Sequence, residues 1–182
     1  MKNKIWDVIV VGGGASGMMA ASTAAQKGAE VIVIEKNSIL GKKLLITGGG
    51  RCNVTNSQFD NRKLLEKFKG NAKFLFSAFS IWSVKETLDF FHSNEMPTKV
   101  ENELRTFPLS NTAQSVWDVL VENLKKYKVK ILSDSPISKI ILEKGKIVGV
   151  ELKTKGAIKE IIYGKNIIIA TGGTSRPETG ST

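Results

Sequence analysis

The sequence predicts an α/β fold, in which a parallel sheet carries helices on both faces and a small antiparallel meander is added. Residues 5–11 and 31–35 are short apolar, β-branched runs of the kind found in buried strands. Between them, residues 15–27 are rich in Ala and Met and end at Gly28, which indicates a helix. A strand, a helix and a strand within about thirty residues form a βαβ unit, whose strands run parallel.

Two further helices are predicted from capping and periodicity. Ser83 and Glu86 have the spacing of a capping box at the start of one helix. A second helix is predicted over residues 112–127, with Asn111 and Gln114 placed to cap it. Its apolar stripe comprises Ala113, Val116, Trp117, Leu120, Val121 and Leu124.

Two segments in the first two thirds of the chain are not assigned to a helix or a strand. Residues 37–58 lack periodicity, and a loop of this length is usually functional or disordered. Residues 99–108 are expected to be irregular or extended. The remaining strands are predicted in the last third of the chain, beginning with 129–132. A three-stranded antiparallel meander follows at 137–142, 146–152 and 158–163, with turns at Lys144-Gly145 and Lys155-Gly156. A final buried strand is predicted at 167–170.

Composition narrows the classes of function. The formal net charge is +10, but the lysines are scattered and do not alternate with aromatic residues, so we expect no nucleic-acid partner. A single cysteine, Cys52, excludes an intramolecular disulfide and fits a reducing compartment. One His and one Cys cannot build the usual zinc site. No segment has the length of a membrane span, so we expect a cytoplasmic protein without membrane contact.

A glycine-rich turn joins the first predicted strand to the first predicted helix. Residues 12–17 match G-x-G-x-x-G, and they are Gly12, Gly13, Gly14, Ala15, Ser16 and Gly17. Between a strand and a helix, this pattern is typical of dinucleotide-binding sites. Gly12 permits the tight turn, Gly14 lets the backbone approach a pyrophosphate, and Gly17 lets helix and strand pack closely. The helix N-terminus offers free N–H groups and a partial positive charge to the phosphates.

An acidic residue, Glu35, ends the second predicted strand. It follows Gly17 by roughly the 20 positions typical of the acid that binds a ribose. A carboxylate accepts hydrogen bonds from a 2′,3′-diol and repels a 2′-phosphate. We therefore expect an adenosine ribose at Glu35, and we do not expect NADP there.

Glycine-rich loops bind several kinds of ligand, such as nucleoside triphosphates, NAD and FAD. Gly12 and Gly17 have Walker A spacing, but Met18 and Met19 stand where that loop needs Lys and Ser or Thr, so an NTPase is not expected. NAD and FAD share the fingerprint. The second glycine-rich segment at 41–53 and the meander favour FAD. A NAD-binding module without flavin, and a non-enzymatic basic nucleic-acid-binding or scaffold protein, stay as alternatives.

Residues 41–56, GKKLLITGGGRCNVTN, resemble the signature of the BaiN-type flavoproteins. These are bacterial NAD(P)/FAD-dependent oxidoreductases, also known as HI-type conserved flavoproteins and as aminoacetone-oxidase-like enzymes. Residues 105–110 and 170–182 resemble two further segments of that family. The resemblance implies FAD bound in a Rossmann-like, glutathione-reductase-like fold, with hydride transfer at the flavin and a small-molecule substrate. NAD(P)H would be a candidate electron donor.

The resemblance also implies which residues bind the cofactor. Residues 12–17 would hold the pyrophosphate. Glu35 and Lys36 would hold the adenosine ribose, and the backbone at Ile137 would meet the adenine. The residues implied to lie along the pyrophosphate and flavin, or to approach the cofactor from the last strand, are Lys43, Thr47, Gly48, Gly49, Gly50, Arg51, Cys52, Asn53, Thr171 and Gly172.

Members of that family are much longer than this chain. Residues 1–182 are therefore expected to form an incomplete FAD-binding domain, which lacks the inserted domain and the C-terminal FAD-contacting segment of the family. The sequence assigns no catalytic acid or base and no oligomeric state. Cys52 follows Arg51, which could favour a thiolate, but a packed or flavin-adjacent thiol is the expected state.

Overall fold

Two sheets and six helices make up the part of the chain that the structure describes. The computed structural model describes residues 4–68, 70, 72–153 and 160–180. The strands are β1 Ile5–Val11, β2 Val31–Ile34, β3 Thr55–Asn56, β4 Thr98–Val100, β5 Arg105–Pro108, β6 Lys130–Leu132, β7 Ile137–Glu143, β8 Lys146–Leu152 and β9 Glu160–Ile169. The helices are α1 Ala15–Gln26, α2 Lys42–Leu45, α3 Asn61–Glu66, α4 Ala72–Ile81, α5 Val84–Ser93 and α6 Ala113–Lys126.

These elements fall into two compact units. One consists of Met1–Leu44 with Leu120–Thr182 and is called here the large-sheet unit. The other is Leu45–Val119, the small-sheet unit. Helix α6 runs across the boundary between them.

The large-sheet unit contains a six-stranded sheet in the order β6-β2-β1-β9-β8-β7. The first four strands of that order are parallel to one another, and β8 and β7 pair antiparallel at the other end. The predicted βαβ unit is confirmed, because β1 and β2 are adjacent and parallel on either side of α1. The predicted turn at Lys144-Gly145 is also confirmed, since both residues have the positive φ angles of a tight hairpin and Glu143 pairs with Lys146.

One strand prediction was wrong. The sequence predicts a meander strand at 158–163 and a separate buried strand at 167–170, whereas β9 is a single strand that spans Glu160–Ile169. It pairs antiparallel with β8 and parallel with β1, so the meander and the parallel sheet are continuous. Gly164 does not break the strand: a Cβ there would stand 2.7 Å from Ile9 Cδ1, and glycine allows this close approach. The predicted turn at Lys155-Gly156 lies outside the described residues.

The core of the large-sheet unit forms on the sheet. Ile9, Ile32, Ile34, Val150 and Leu152 are buried together, with half-buried apolar side chains packed around them. Helix α1 packs against β1, β2 and β9 through its small and flexible side chains. This packing places the N-terminus of α1 at the end of β1, where the glycine-rich turn lies.

The small-sheet unit has regular structure in part of the predicted loop at 37–58, and it has strands in residues 99–108, which were expected to be irregular or extended. Strands β3, β5 and β4 form an antiparallel sheet in that order. Part of the predicted loop at 37–58 is thus ordered in this unit as a 3₁₀ turn at Thr47–Gly50 and β3. The same loop also contains α2, most of which belongs to the large-sheet unit. The capping box of α5 is confirmed, because the Ser83 N–H donates to Glu86 Oε2 at 2.8 Å and the Lys85 N–H donates to Ser83 Oγ at 3.2 Å.

Helix α6 is capped by a different residue from the one predicted. Thr112 Oγ1 accepts a hydrogen bond from the Gln114 N–H at 3.2 Å. Asn111, the predicted cap, instead has a φ of 58° and belongs to the turn before the helix. Most of the predicted apolar stripe is buried, namely Ala113, Val116, Leu120, Val121 and Leu124. Trp117, the sixth predicted member, is half-buried.

The buried position of Ile9 gives a test of this core. Ile9→Ala should lower the free energy of unfolding by about 2–5 kcal/mol, because the side chain is 0% exposed and its removal leaves a cavity. Urea denaturation measures the change. Ile5→Ala is the matched control on the same strand, where 57% of the residue is exposed and the cost should stay below about 1 kcal/mol. Equal losses would contradict the burial of Ile9 in this core.

Candidate cofactor-binding site

The glycine-rich turn after β1 is held by close backbone packing. The Gly12 N–H donates to Ile34 O at 2.8 Å, and Gly12 has a φ of +99°. A Cβ on Gly12 would lie 2.5 Å from Ala170 O, and one on Gly17 would lie 1.9 Å from Gly12 O. The turn, the first turn of α1 and the end of β9 therefore meet too closely for side chains at these two positions.

Gly14 has a different environment. It is the N-cap of α1, in extended conformation, and none of the described side chains caps the helix there. A Cβ on Gly14 would meet nothing within 4 Å. Ala15 and Ser16, the next two residues, are exposed. The amino end of α1 thus presents its backbone N–H groups and its partial positive charge to open space, which fits a pyrophosphate.

Glu35 lies against this turn and is buried, with 7% of the residue exposed. The Gly13 N–H donates to Glu35 Oε2 at 2.7 Å. The other oxygen, Oε1, accepts from the Asn37 N–H at 2.8 Å and from Asn37 Nδ2 at 2.7 Å. An ionised carboxylate has about four acceptor positions, and these three bonds leave one on Oε2. The acid is therefore next to the turn, as the proposed ribose role requires.

Other predicted site residues lie close to Glu35 in the large-sheet unit. The Ser135 N–H donates to Glu35 O at 2.9 Å, which places the segment leading to Ile137 beside the acid. Lys36 is exposed, and a Cβ on Gly180 would lie 2.8 Å from Lys36 Cε.

The segment after β9, residues 170–180, returns toward the loop that follows β2. The Ala170 N–H donates to Val11 O at 2.8 Å, so Thr171 and Gly172 leave the sheet beside the glycine-rich turn. Lys43 Nζ donates to Ser175 Oγ at 2.8 Å, and Asn37 Nδ2 donates to Thr179 O at 3.2 Å. The large-sheet unit thus brings together most of the residues that the sequence pointed to: Gly12, Gly14, Ala15, Ser16, Gly17, Glu35, Lys36, Lys43, Ile137, Thr171 and Gly172.

The predicted residues Thr47 to Asn53 belong to the small-sheet unit and form a tight turn there. Gly48, Gly49, Gly50 and Cys52 all have φ between 55° and 83°. The Cys52 N–H donates to Thr47 O at 3.0 Å and closes the turn. Whether these residues contact a cofactor stays a prediction.

Arg51 in this turn is paired within its own unit. Its Nη1 donates to both carboxylate oxygens of Glu101, at 2.9 and 3.1 Å, and the guanidinium lies 4.1 Å from the centre of the Phe107 ring. The hydrogen bond from Arg51 lowers the pKa of the Glu101 carboxyl below its ordinary value, and Lys99 acts in the same direction. Sequence reasoning missed Glu101, because it lies 50 positions from Arg51.

Cys52 is a buried thiol with 4% of the residue exposed. Burial raises its pKa above the ordinary value, and a hydrogen bond with Thr47 opposes that rise. The packed thiol is therefore confirmed, and a thiolate favoured by Arg51 is not.

The structure also bears on metal binding and membrane spans. Among the residues that the structure describes, no group of three or more His, Cys, Asp and Glu side chains is arranged to hold a metal ion. Over the same residues, no helix is both long enough and apolar enough to cross a membrane.

The two kinds of glycine in the turn should respond differently to a methyl group. Gly17→Ala should destabilise the fold by roughly 1–3 kcal/mol, because the methyl collides with a backbone carbonyl. Gly14→Ala should cost less than about 1 kcal/mol, since its methyl enters open space and only the N-cap preference is weakened. Urea denaturation of both variants measures the difference, and equal destabilisation would refute the described turn.

The reactivity of Cys52 checks its burial. At mildly alkaline pH, iodoacetamide should alkylate Cys52 in the folded protein more slowly than free cysteine, because the thiol is covered and its raised pKa leaves less thiolate. The rate should rise as pH increases above the ordinary cysteine range, and urea should abolish the protection. Mass spectrometry of quenched samples measures it, with Cys52→Ser as background. Native alkylation at the free-cysteine rate would argue against a buried thiol.

This chain is similar to known proteins in both sequence and fold. Residues 6–182 match the family model described as HI0933-like protein Rossmann domain. A 3-dehydro-bile acid delta(4,6)-reductase of Clostridium scindens is 32% identical over 149 residues, which cover 81% of this chain and 34% of the reductase. A ribosomal RNA dihydrouridine synthase of Haemophilus influenzae is 29% identical over 144 residues, 79% of this chain and 34% of the synthase. The chain thus spans about one third of the length of these relatives.

Solved structures with the same fold include two oxidoreductases. A 3-ketosteroid-delta4-(5alpha)-dehydrogenase from Rhodococcus jostii has a TM-score of 0.74 at 20% identity, covering 96% of this chain and 47% of the dehydrogenase. An E. coli quinol fumarate reductase has a TM-score of 0.74 at 15% identity, covering 97% of this chain and 34% of the reductase. The predicted Rossmann-like α/β fold is confirmed. The family match confirms the resemblance carried by residues 41–56, and the chain belongs to the HI0933-like Rossmann domain family.

Proposed function

We propose that this chain binds FAD and forms the cofactor-binding part of a flavoprotein oxidoreductase. The observation that carries the proposal is the carboxylate of Glu35, buried 2.7 Å from the Gly13 N–H beside the uncapped amino end of α1. The carboxylate can accept hydrogen bonds from the hydroxyls of a ribose. The helix N-terminus suits the diphosphate that is attached to that ribose.

Each part of the adenosine diphosphate half has residues that fit it. The phosphates would lie at the open face of Gly14, against the N–H groups of Ala15, Ser16 and Gly17. The ribose would lie at Glu35 and Lys36. The adenine would lie at the backbone of Ile137, in the segment that Ser135 joins to Glu35.

The flavin half involves residues for which the proposal rests on the family resemblance. These are Lys43, Thr47, Gly48, Gly49, Gly50, Arg51, Cys52, Asn53, Thr171 and Gly172. When FAD is bound, its isoalloxazine supplies hydride transfer, and the protein binds and orients it. NAD(P)H is the electron donor that we propose, and we assign no catalytic acid or base.

The substrate proposed for the whole protein is a small molecule. This proposal follows the C. scindens relative, which is named as a bile acid reductase. A second candidate is RNA, because the H. influenzae relative is named as a ribosomal RNA dihydrouridine synthase. RNA binding that weakens steeply with salt would favour the second candidate. We also propose a cytoplasmic protein, for which the single cysteine is the supporting observation. We propose a bacterial source because both of the relatives named above come from bacteria.

A titration with FAD tests the proposal. The 182-residue chain should show a flavin absorption band after gel filtration with FAD, and fluorescence quenching should give its dissociation constant. Glu35→Ala and the isosteric Glu35→Gln should raise that constant by roughly tenfold or more, since each removes a charged acceptor. Glu30→Ala should not, because Glu30 lies at the other end of β2 and pairs with Lys4 at the surface.

Two results would count against FAD binding. The first is a chain that takes up no flavin while its thermal unfolding shows that it is folded. Stabilisation of such a colourless protein by NADH would point instead to a NAD-binding module. The second is equal affinity of the Glu35 and Glu30 variants, which would remove Glu35 from the site.

A further inference from the structure

Asn37 makes three hydrogen bonds around the acid that we propose for the ribose. Its backbone N–H and its Nδ2 both donate to Glu35 Oε1, at 2.8 and 2.7 Å. Nδ2 also donates to Thr179 O at 3.2 Å, 142 positions away in the chain. Since a carboxylate and a carbonyl only accept, the amide must direct its nitrogen, with both of its N–H bonds, between them.

The surroundings of this amide hold it in that orientation. A Cβ on Gly180 would lie 2.9 Å from Asn37 Nδ2 and 3.1 Å from its Oδ1, so the glycine backbone packs directly on the amide. Gly180 has a φ of +92°, a conformation that glycine adopts without strain. The Asn37 carbonyl accepts from the Asp134 N–H at 3.0 Å, which anchors the backbone of the same residue. Asn37 is therefore fixed at its main chain and at both donors of its side chain.

These contacts decide which oxygen of Glu35 is open to a ligand. The two bonds from Asn37 account for the two acceptor positions of Oε1. Among the residues that the structure describes, Oε2 accepts from the Gly13 N–H alone, which leaves one acceptor position on the side of the glycine-rich turn.

We propose that Asn37 is a positioning residue, which holds the Glu35 carboxylate so that Oε2 faces the adenosine ribose. The inference rests on the proposed function, because it assigns Asn37 a role in binding the same cofactor. Asn37 touches no ligand in this role. It acts through Glu35, and the segment after β9 contributes by holding the Asn37 amide through Thr179 and Gly180.

A purely structural role for Asn37 would give a different result from a positioning role. If the amide only fills space and ties down the segment after β9, its loss would weaken binding of every nucleotide equally. If it orients Glu35, its loss would weaken the recognition of the ribose hydroxyl in particular. The ratio of affinities for a nucleotide with and without that hydroxyl separates the two roles.

The test is calorimetric titration of the 182-residue chain with ADP, 2′-deoxy-ADP and 3′-deoxy-ADP. The original chain should reject one deoxy analogue by about tenfold or more, as expected for a lost hydrogen bond to a charged group. Asn37→Ala should reduce that ratio to below about threefold. Asn37→Asp keeps the shape but replaces both donors by a second carboxylate, so the ratio should fall at least as far.

Asn166→Ala is the matched control. The Asn166 amide also donates to a backbone carbonyl, Asp7 O at 3.0 Å, but it does so in the middle of β9 at the surface. Its removal should leave the ratio unchanged. Thermal unfolding of each variant confirms that the protein titrated is folded.

The outcomes distinguish this inference from the function on which it rests. An unchanged ratio in both Asn37 variants, or near-original discrimination in Asn37→Asp, would overturn the positioning role and leave FAD binding intact. Failure of the original folded chain to bind ADP, or to reject either deoxy analogue, would remove the proposed ribose site and the role of Asn37 with it.

Discussion

The hydrogen bonds to one buried carboxylate, that of Glu35, are the interaction on which this end of the six-stranded sheet depends. Glu35 is almost completely covered, and a buried carboxylate without partners would be strongly unfavourable. The Gly13 N–H satisfies one oxygen and Asn37 satisfies the other. One charged group thereby connects the turn before α1 to the chain that leaves β2. This connection adds to the backbone packing of Gly12 and Gly17 that holds the turn, and to the packing of α1 on the sheet.

The topology explains why the candidate site lies where it does. Strands β2, β1 and β9 are adjacent and parallel, so their carboxyl ends meet at one edge of the sheet. Ligands of open α/β sheets bind outside that edge. Close packing of Gly12 and Gly17 against their neighbours shapes the turn there, while Gly14 remains open. The same motif thus contains glycines required by packing and a glycine that leaves room for a ligand.

In the small-sheet unit, the glycine-rich segment that carries the family resemblance forms a turn whose described contacts lie within the same unit. Four residues of its glycine-rich segment have positive φ, and Arg51 is held by Glu101 and Phe107. An arginine paired on two oxygens and stacked on a ring is oriented by its own unit, which reduces its freedom before any ligand arrives. Cys52 is packed beneath this turn as a neutral thiol. The family resemblance of this segment therefore has a structural basis in its tight turn, while its part in cofactor binding is a proposal.

The sequence by itself determined the elements whose causes are local. A β-branched run, a glycine-rich turn and an amphipathic or Ala-rich stretch are sufficient to predict β1, α1, β2, the capping box at Ser83 and the acid at Glu35. Prediction from the sequence failed where the contacting residues are far apart along the chain. The prediction divided β9 near Gly164, because the close approach of Ile9 to that glycine is not visible in the sequence. Asn37 was missed since its amide meets Thr179 only after 142 positions of intervening chain. Tertiary structure alone decided these contacts, because strand order and not sequence distance brings their atoms within hydrogen-bonding range.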